Sequence, residues 1–315
     1  MKSFVPAADE VWRLQNKDDA ECRFFQGFSE EGHYGGRKQP TSTRQGIYTC
    51  TPSGKFLASI NSNGPEHVAR MLRKALARWE TLSDEERYGE TPPVAHPEGL
   101  RRPEDNYPAD GLVLRVHTRD LARANAPTDW RSAAWNLDFA WFRADEVRAL
   151  FAGTATGAVG ATHAAPAELT SRIARCHLLD NVRGQTPALG ADDIERALLR
   201  MVLESVEAGI ARIRIEGHSK TVQRGKWRIE GRAGTDEHVR ELGFDVKLRG
   251  WAHYDVKANR VTAFELLAVG MRWGATRYNA RADDQQPAPI GVAFTLAGNA
   301  PPDHVAPATI WGYGW

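Results

Sequence analysis

The stretches Ala211-Arg212-Ile213-Arg214-Ile215-Glu216 and Phe244-Asp245-Val246-Lys247-Leu248-Arg249 alternate strictly between apolar and polar residues. Successive side chains of a β-strand point to opposite faces, so this alternation is typical of a strand with one buried face and one solvated face. Strands of this kind belong to antiparallel sheets, in which one face can remain in water. The two stretches therefore predict that the C-terminal part of the chain is rich in antiparallel strands.

Further short strands are predicted around these two stretches. Residues 261–269 follow a Lys257-Ala258-Asn259-Arg260 turn and are expected to pair with the strand before it. Residues 112–116 and 135–142 also have strand character, whereas residues 196–208 fit a strand or a helix equally well. A meander of this size protects its edges by curling into a barrel or by packing as a sandwich, so we expect a barrel- or sandwich-like domain.

Two helices are predicted within the same region. One is short and runs from Asp145 to Phe151. Pro166 opens the other, in which four residues share one face: Leu169, Ile173, Cys176 and Leu179. The Ala/Gly/Thr-rich stretch between them, residues 152–165, is expected to be a flexible loop. The C-terminal region is therefore predicted to be β-rich with one or two helices.

A hairpin followed by a helix is predicted over residues 44–79. Two β-prone runs, residues 45–50 and 55–60, flank a turn that contains proline and glycine. The helix runs from Pro65 to Trp79, with Asn63 as the expected capping residue and apolar residues at helical spacing. This unit indicates a small α/β domain in the N-terminal part of the chain.

A proline-rich segment separates the two regions. Five prolines lie within it: Pro92, Pro93, Pro97, Pro103 and Pro108. Proline fixes φ and removes a backbone donor, so such a segment disfavours helices and strands and is suited to a linker. We therefore expect an α/β domain at residues 1–90, a linker at 91–110 and a β-rich domain at 111–315. These three parts make the predicted fold class α+β.

The N-terminal domain resembles the thioredoxin-like fold. Residues 4–14 are expected to form a strand, and residues 19–31 a helix that begins at Asp19-Ala20-Glu21-Cys22. The hairpin and helix further along resemble the C-terminal half of that family. The resemblance implies a degenerate thioredoxin-like domain over residues 1–90, with Asp19 and Cys22 where the family carries a CxxC pair and Pro40 at its cis-proline. No family is identified for the rest of the chain.

Cys22 is the catalytic candidate that this resemblance implies. A helix N-terminus lowers the pKa of a cysteine through its unpaired N–H groups, and the thiolate is the reactive form. Asp19 and Glu21 would oppose that effect, because nearby negative charge raises the pKa of a thiol. Thiol-redox chemistry at Cys22 is therefore one hypothesis, and a small buried residue beside Phe24 and Phe25 is the alternative.

Composition excludes several classes of partner. Forty-one basic and forty acidic side chains give a net charge of +1 and are interleaved along the chain, which does not indicate a nucleic-acid partner. No run approaches the ~18 apolar residues of a membrane span. Acidic residues interrupt the N-terminus where a signal peptide has its apolar core. The three cysteines form no CxxC pair, so we expect neither a disulfide framework nor a zinc knuckle. These features favour a cytoplasmic protein, or an exported one if a signal peptide was removed ahead of Met1.

The segment from His177 to Gln185 is the first polar cluster that could carry chemistry. Its His177 and Asp180 are candidate catalytic acid–base residues, and Arg183 and Gln185 are candidate ligand-binding residues. The alternative is an ordinary helix C-terminus, with the histidine near the negative end of the helix dipole.

The segment from Arg272 to Arg281 is the strongest ligand-site candidate. Guanidinium groups can clasp carboxylates, phosphates or sugars through forked donors, and aromatic side chains can stack on them. The ligand-binding residues predicted here are Arg272, Trp273, Arg277, Tyr278 and Asn279. The alternative is a loop whose arginines pair with Asp283 and Asp284.

Two further segments carry weaker signals. The terminal Trp311-Gly312-Tyr313-Gly314-Trp315 is expected to be an edge strand that closes the core, or else a carbohydrate- or partner-binding surface. His253 and Asp255, even together with Glu265, supply at most a partial set of metal ligands, whereas structural zinc normally needs four. No metal site is therefore expected.

Several catalytic and nucleotide-binding signatures are missing from the sequence. It has no GxGxxG, P-loop, HExxH or GxSxG motif, so no cofactor is expected. The leading hypothesis is a non-catalytic binding protein whose β-rich domain holds a small anionic or sugar-like ligand, or a protein partner. The alternatives are a thiol-redox protein that uses Cys22 and an enzyme of undetermined class that uses His177, Asp180 and Arg183. Sequence patterns do not indicate whether the chain forms oligomers.

Overall fold

The computed structural model of this 315-residue chain describes residues 3–7, 11–34, 43–62, 64–90, 103–124, 126–229 and 238–315. The chain divides into two compact units, Met1–Arg101 and Arg102–Trp315. The division falls within the expected linker, of which residues 91–102 lie outside the described part. Helices accompany a two-stranded and an eight-stranded antiparallel sheet, so the predicted α+β class with a β-rich C-terminal region is confirmed.

The first unit is mainly helical. Its elements are α1 (Val11–Asn16), α2 (Ala20–Ser29), β1 (Ile47–Cys50), β2 (Phe56–Ile60), α3 (Pro65–Glu80) and α4 (Asp84–Tyr88). Strands β1 and β2 pair antiparallel, and α3 buries Met71 and Ala75 against Leu57 and Ala58 of β2. The hairpin and the helix predicted over residues 44–79 are therefore confirmed. Proline suits the first turn of α3, where its missing N–H leaves no hydrogen bond unmade. The expected cap, Asn63, lies outside the described residues.

The strand predicted over residues 4–14 is wrong. Residues 4–7 have no regular structure, and α1 begins at Val11. The Gln26 side-chain amide of α2 donates to the carbonyls of Leu14 (3.0 Å) and Lys17 (2.9 Å), which satisfies the end of α1 and favours a helical pair over a strand. Pro40 lies outside the described residues, and the thioredoxin-like assignment stays a prediction.

The second unit is built from long strands. Its elements are β3 (Leu112–Asp120), β4 (Trp135–Phe142), α5 (Ala144–Ala155), β5 (Thr162–Ala164), α6 (Ala167–Cys176), β6 (Ile194–Glu207), β7 (Ile210–Lys226), β8 (Val239–Asp255), β9 (Arg260–Trp273) and β10 (Ala288–Leu296). Residues 196–208, left open between strand and helix, thus belong mostly to β6. The loop expected over residues 152–165 instead begins with the last turn of α5 and ends in β5.

The strands form one antiparallel sheet in the order β4-β3-β10-β9-β8-β7-β6-β5. Strands β6 to β10 follow each other as a meander, and β10 then pairs with β3, which brings both ends of the unit together. The sheet is open in the described residues, because its end strands β4 and β5 do not pair with each other. In the described part of the chain it is therefore a single layer, with neither the closed form of a barrel nor the second sheet of a sandwich.

The main core lies between this sheet and the two helices of the unit. Its inward residues on β9 and β10, such as Leu266, Val292 and Phe294, pack with Phe151 of α5 and Ile173 of α6. Because helices already cover this face, the sheet can bury its apolar residues without closing on itself. We call the face toward α5 and α6 the inner face of the sheet and the opposite one the outer face. None of the described helices combines the length and the apolar character needed to cross a bilayer.

The last residues of the chain, 297–315, form a segment without strands that we call the C-terminal segment. The predicted edge strand over residues 311–315 is wrong, since Ile310–Tyr313 form a 3₁₀ turn and Gly314 adopts a positive φ of 73°. Tyr313 and Trp315 pack beside the buried Trp141, whereas Trp311 is 76% exposed. The Tyr313 hydroxyl accepts the backbone N–H of Trp141 (3.3 Å), so this segment also protects the edge strand β4.

Candidate functional site

The two predicted polar segments, 177–185 and 272–281, meet near the ends of β3 and β9. The side chains that meet are Asp120, Asp180, Arg183, Arg272, Arg281 and Asp284, which we call the buried ion-pair network. The Arg281 guanidinium lies at its centre. It donates to both oxygens of Asp180 (2.8 and 2.9 Å) and to both oxygens of Asp120 (2.7 and 2.8 Å).

Asp284 is the point at which most of these guanidinium groups converge. Its Oδ2 atom lies 2.6 Å from Arg272 Nη2 and 2.9 Å from Arg183 Nη1. The same oxygen lies 3.1 Å from Arg281 Nη1 and 2.7 Å from Nη2 of Arg123. Burial alone would raise the pKa of this carboxyl, but the surrounding guanidinium groups outweigh burial and lower the pKa to about 2.

The network engages Arg183 and Arg272, two of the three arginines that were expected to bind a ligand. The side chains of Arg272 and Arg281 are 1% and 0% exposed, and both are paired with carboxylates. The alternative interpretation of this segment is therefore confirmed for Asp284, whereas Asp283 pairs with Arg131 outside the network. Each of the three buried arginines is paired with at least one carboxylate, which is the condition under which buried charges are tolerated.

Backbone contacts join the same two segments. The Gln185 N–H donates to the Tyr278 carbonyl (2.9 Å), and the Thr276 hydroxyl donates to the Gln185 carbonyl (3.0 Å). A Cβ atom on Gly184 would lie 1.9 Å from the Tyr278 carbonyl oxygen, so only glycine allows this approach. Asn279 is fully buried and accepts the Thr276 N–H (2.9 Å). Gln185 thus joins the two segments through its backbone, and Asn279 stabilises the turn of its own segment.

The remaining predicted ligand residues lie closer to the surface. Arg277 and Tyr278 are exposed, and the guanidinium lies 5.2 Å from the ring centroid. Trp273 is half-buried and donates its indole N–H to Glu241 (2.8 Å). From the segment 272–281, the structure therefore leaves one stacked Arg277–Tyr278 pair exposed to solvent.

His177 does not join Asp180 and Arg183. Its ring is buried, with Nε2 2.5 Å from the Tyr313 hydroxyl and Nδ1 3.9 Å from Asp138 Oδ2. Burial and the nearby Arg172 guanidinium lower the pKa of His177 to about 3. The three residues of the hypothetical enzyme site thus separate into two places, and neither His177 nor Asp180 is exposed to a substrate.

Cys22 is buried near the N-terminus of α2. Its Sγ atom lies 3.2 Å from Asp19 Oδ2, and Asp19 also caps the helix by accepting the Cys22 N–H (2.9 Å). Burial and the hydrogen bond with Asp19 raise the pKa of Cys22, which favours the unreactive thiol. The nearby Arg13 guanidinium acts in the opposite direction, but burial and Asp19 outweigh it, and the buried thiol lacks the exposure that a redox cysteine needs.

The residues weighed as metal ligands do not form a cluster. In the sheet register His253 lies opposite Ala263, whereas Glu265 lies opposite Trp251. Across the described ranges, no group of three or more His, Cys, Asp or Glu side chains is placed to hold a metal ion.

The outer face of the sheet carries an exposed apolar strip that the sequence analysis did not identify as a site. The strip consists of Leu267, Val269 and Met271 on β9 and Pro289, Gly291 and Ala293 on β10. Leu267 is 56% exposed and Val269 is 49% exposed. The C-terminal segment covers other outer-face residues, Val113, Phe139 and Trp141, whereas the β9 residues of the strip are exposed and its β10 residues are half-buried.

Basic side chains border this strip on both sides. On β8, Arg249 lies opposite Leu267 and Lys247 lies opposite Val269. On β3, His117 lies opposite Ala293 and Arg119 lies opposite Gly291. Arg119, Lys247 and Arg249 are exposed, and within the described part of the chain none of the three forms an ion pair or a side-chain hydrogen bond.

The border also contains acidic and aromatic groups. Asp245, opposite Met271, accepts a hydrogen bond at 2.7 Å from the His218 ring, so it is already engaged. Glu265 is exposed and lies two residues before Leu267 on β9. On β4, opposite Arg119, Trp135 is 60% exposed and its ring lies 5.8 Å from that of His117. The outer face therefore combines apolar, aromatic and unpaired basic groups on one surface.

Comparison of the chain with protein-family models, with curated protein sequences and with solved structures gives no match.

Proposed function

We propose that this protein is a non-catalytic binding protein that docks a partner protein on the outer face of its large sheet. The observation that carries the proposal is the apolar strip around Leu267 and Val269, which remains exposed although the C-terminal segment covers neighbouring residues of the same face. Contiguous exposed apolar surface bordered by polar residues is typical of interaction sites in soluble proteins.

The burial of the predicted catalytic residues favours binding over catalysis. Cys22, His177 and Asp180 are buried, and the pKa of Cys22 is raised by burial rather than lowered. A small-ligand site at the arginine-rich segment has less support, because Arg272 and Arg281 are paired with carboxylates inside the network. The partner-binding form of the leading hypothesis therefore fits the geometry better than its small-ligand form.

The test is a selection of peptides from a random displayed library on the immobilised full chain. Enriched peptides are then measured against a double variant, Leu267→Asp with Val269→Asp, which places two charges in the strip. A matched control, Val206→Asp with Val239→Asp, makes the same change at two exposed valines elsewhere on the sheet. Circular dichroism of each variant verifies that it is folded.

We expect the enriched peptides to bind the wild-type chain and the control equally, and to lose at least about tenfold in affinity for the strip variant. Burying an unpaired charge in an apolar contact is unfavourable by more than the roughly 1.4 kcal/mol that this factor represents. Equal binding to all three proteins, or no enrichment above a blank support, would contradict a docking role for this face.

A further inference from the structure

We propose that the partner presents an acidic amphipathic helix, which lies along the apolar strip with its carboxylates against the two basic rows. The basic rows are Lys247 with Arg249 on β8, and His117 with Arg119 on β3. The inference rests on the proposed function and adds the chemistry of the partner.

The width of the strip fits a single helix. The strip occupies two adjacent strands, β9 and β10, and the basic rows occupy the next strand on each side. With strands about 4.8 Å apart, the two basic rows lie roughly 14 Å from each other. A helix with its side chains is about 10–12 Å across, so its apolar stripe would lie on Leu267 and Val269 while residues on both of its flanks reach the rows.

The charges of the surface select an acidic partner. Arg119, Lys247 and Arg249 have no carboxylate partner in the described residues, in contrast to the paired arginines of the buried network. Of the two acidic groups at the border, Asp245 is engaged by His218. Glu265 remains, so the unpaired charges next to the strip are mainly positive, and complementary surfaces match a positive patch with a negative one.

The sheet also has room for another helical layer. The inner face is covered by α5 and α6, which pack on β6, β7 and β9. The helices of an antiparallel sheet usually lie on one of its faces, which leaves the other face free. A helix supplied by a partner would therefore meet no helix of the described chain over Leu267 and Val269, which are exposed.

The test uses a synthetic peptide of about 20 residues, long enough for roughly 30 Å of helix. Its leucines follow the helical period and its flanks carry glutamates. A second peptide, with lysine in place of every glutamate, serves as the comparison. Binding to the full chain is measured by fluorescence anisotropy at low and high salt. The variant combines Arg119→Gln, Lys247→Gln and Arg249→Gln, and the control removes three exposed charges elsewhere through Arg200→Gln, Lys257→Gln and Arg260→Gln.

We expect the acidic peptide to bind and the lysine-substituted peptide not to bind. An exposed ion pair contributes a factor of roughly two to five, so losing three should weaken binding by about tenfold or more, whereas the control should change it by less than about threefold. Added salt should weaken binding, because these charges are exposed to solvent. Glu265→Gln removes a negative charge that would repel the glutamates of the peptide, so it should strengthen binding slightly.

Three results would overturn the inference. The first is equal binding of the two peptides, or no effect of the Arg119, Lys247 and Arg249 changes. The second is binding to phosphatidylserine vesicles in place of the peptide, which would indicate a membrane surface. The third is self-association of the chain that the strip variant abolishes, which would indicate a second copy.

If only the partner's acidity is wrong, the library peptides still lose affinity for the Leu267 and Val269 variant. If the proposed function is wrong, that loss also disappears.

Discussion

Among individual residues, Asp284 holds the most demanding position in the buried ion-pair network. Its Oδ2 atom contacts the guanidinium groups of Arg123, Arg183, Arg272 and Arg281. Replacing this carboxylate with the neutral amide of asparagine leaves those positive charges without their shared partner. We expect Asp284→Asn to lower the free energy of unfolding by about 3–5 kcal/mol, measured by urea denaturation.

The neighbouring Asp283 provides a matched control. Asp283→Asn makes the same chemical change one residue away, at a more exposed carboxylate that pairs with Arg131. We expect this variant to lose less than about 1 kcal/mol. The pKa of Asp284 is lowered to about 2, so its contribution to stability is present above pH ~3.9 and is lost as the pH falls through about 2. Equal losses in the two variants would refute the central role of Asp284.

His177 should make stability depend on pH in a defined window. Burial and Arg172 lower the pKa of this histidine to about 3, whereas in the unfolded chain it is about 6.5. Between these values the unfolded chain binds a proton that the folded chain does not. The free energy of unfolding should therefore decrease as the pH falls, by up to about 1.4 kcal/mol per pH unit from this group.

The measurement for His177 is urea unfolding of the wild type and of His177→Gln between pH 6.5 and 4.5. Glutamine keeps a polar group near Tyr313 but does not titrate, so the variant should show a smaller dependence on pH. His163→Gln, at an exposed position, should keep the wild-type dependence. The interpretation fails if the His177 variant follows the wild-type curve.

The sequence allowed part of this chemistry to be predicted. Asp284 lies three residues after Arg281, so their pairing was a natural alternative for the segment. Asp120 was not anticipated, because it lies 161 residues from Arg281 and comes close only through the pairing of β3 with β10. Local patterns carry no information on contacts of that kind. For the same reason, the separation of His177 from Asp180 became visible only in the fold.

Among the secondary-structure elements, β9 depends on a glycine where it packs closely against β8. A Cβ atom on Gly270 would lie 2.0 Å from the Asp245 carbonyl oxygen. We expect Gly270→Ala to destabilise the protein by about 2–3 kcal/mol, because the neighbouring backbone cannot move away easily. Thermal or urea unfolding measures the effect.

Helix α5 offers the opposite case. A Cβ atom on Gly153 would have no heavy atom closer than 4.0 Å, at His163 Nδ1. Gly153→Ala should therefore stabilise the protein by roughly 0.5–1 kcal/mol, since alanine favours a helix interior more than glycine does. Destabilisation by both substitutions to the same extent would argue against the steric explanation for Gly270.

The elements that the sequence predicted well are those with a strong local period. The alternation in residues 211–216 and 244–249 identified β7 and β8, and helical spacing identified α3. The strand predictions for residues 4–14 and 311–315 were wrong because packing outweighed the local patterns. Helix α1 packs against α2, and Tyr313 and Trp315 pack beside Trp141. The outer-face strip did leave a signal, a continuous apolar run from residue 266 to 269, which exceeds what a half-buried strand requires.

For the molecule as a whole, the C-terminal segment completes the β-rich unit. Arg115 of β3 forms a two-pronged ion pair with Asp303, at 2.7 and 2.5 Å, and Ile310 packs in the cluster around Trp141. We expect a chain without residues 298–315 to bind a hydrophobic dye and to unfold at a lower urea concentration, because Phe139 and Trp141 lose their cover. Trp311→Ala, at an exposed position of the same segment, should change stability by less than about 0.5 kcal/mol. An unchanged unfolding midpoint in the shortened chain would contradict this role.

The order of the strands has a consequence for the time at which the fold can form during synthesis. Strand β3 pairs with β10, and Arg115 can form its ion pair only after synthesis of Asp303, which is 188 residues further along the chain. At about 5–20 residues per second, the ribosome leaves one edge of the β3–β4 hairpin without its partner for roughly ten to forty seconds. During that interval the apolar residues of β3 are exposed on the nascent chain. Early help from a chaperone would therefore be most useful at the first hairpin of this unit, long before β10 is available to pair with β3.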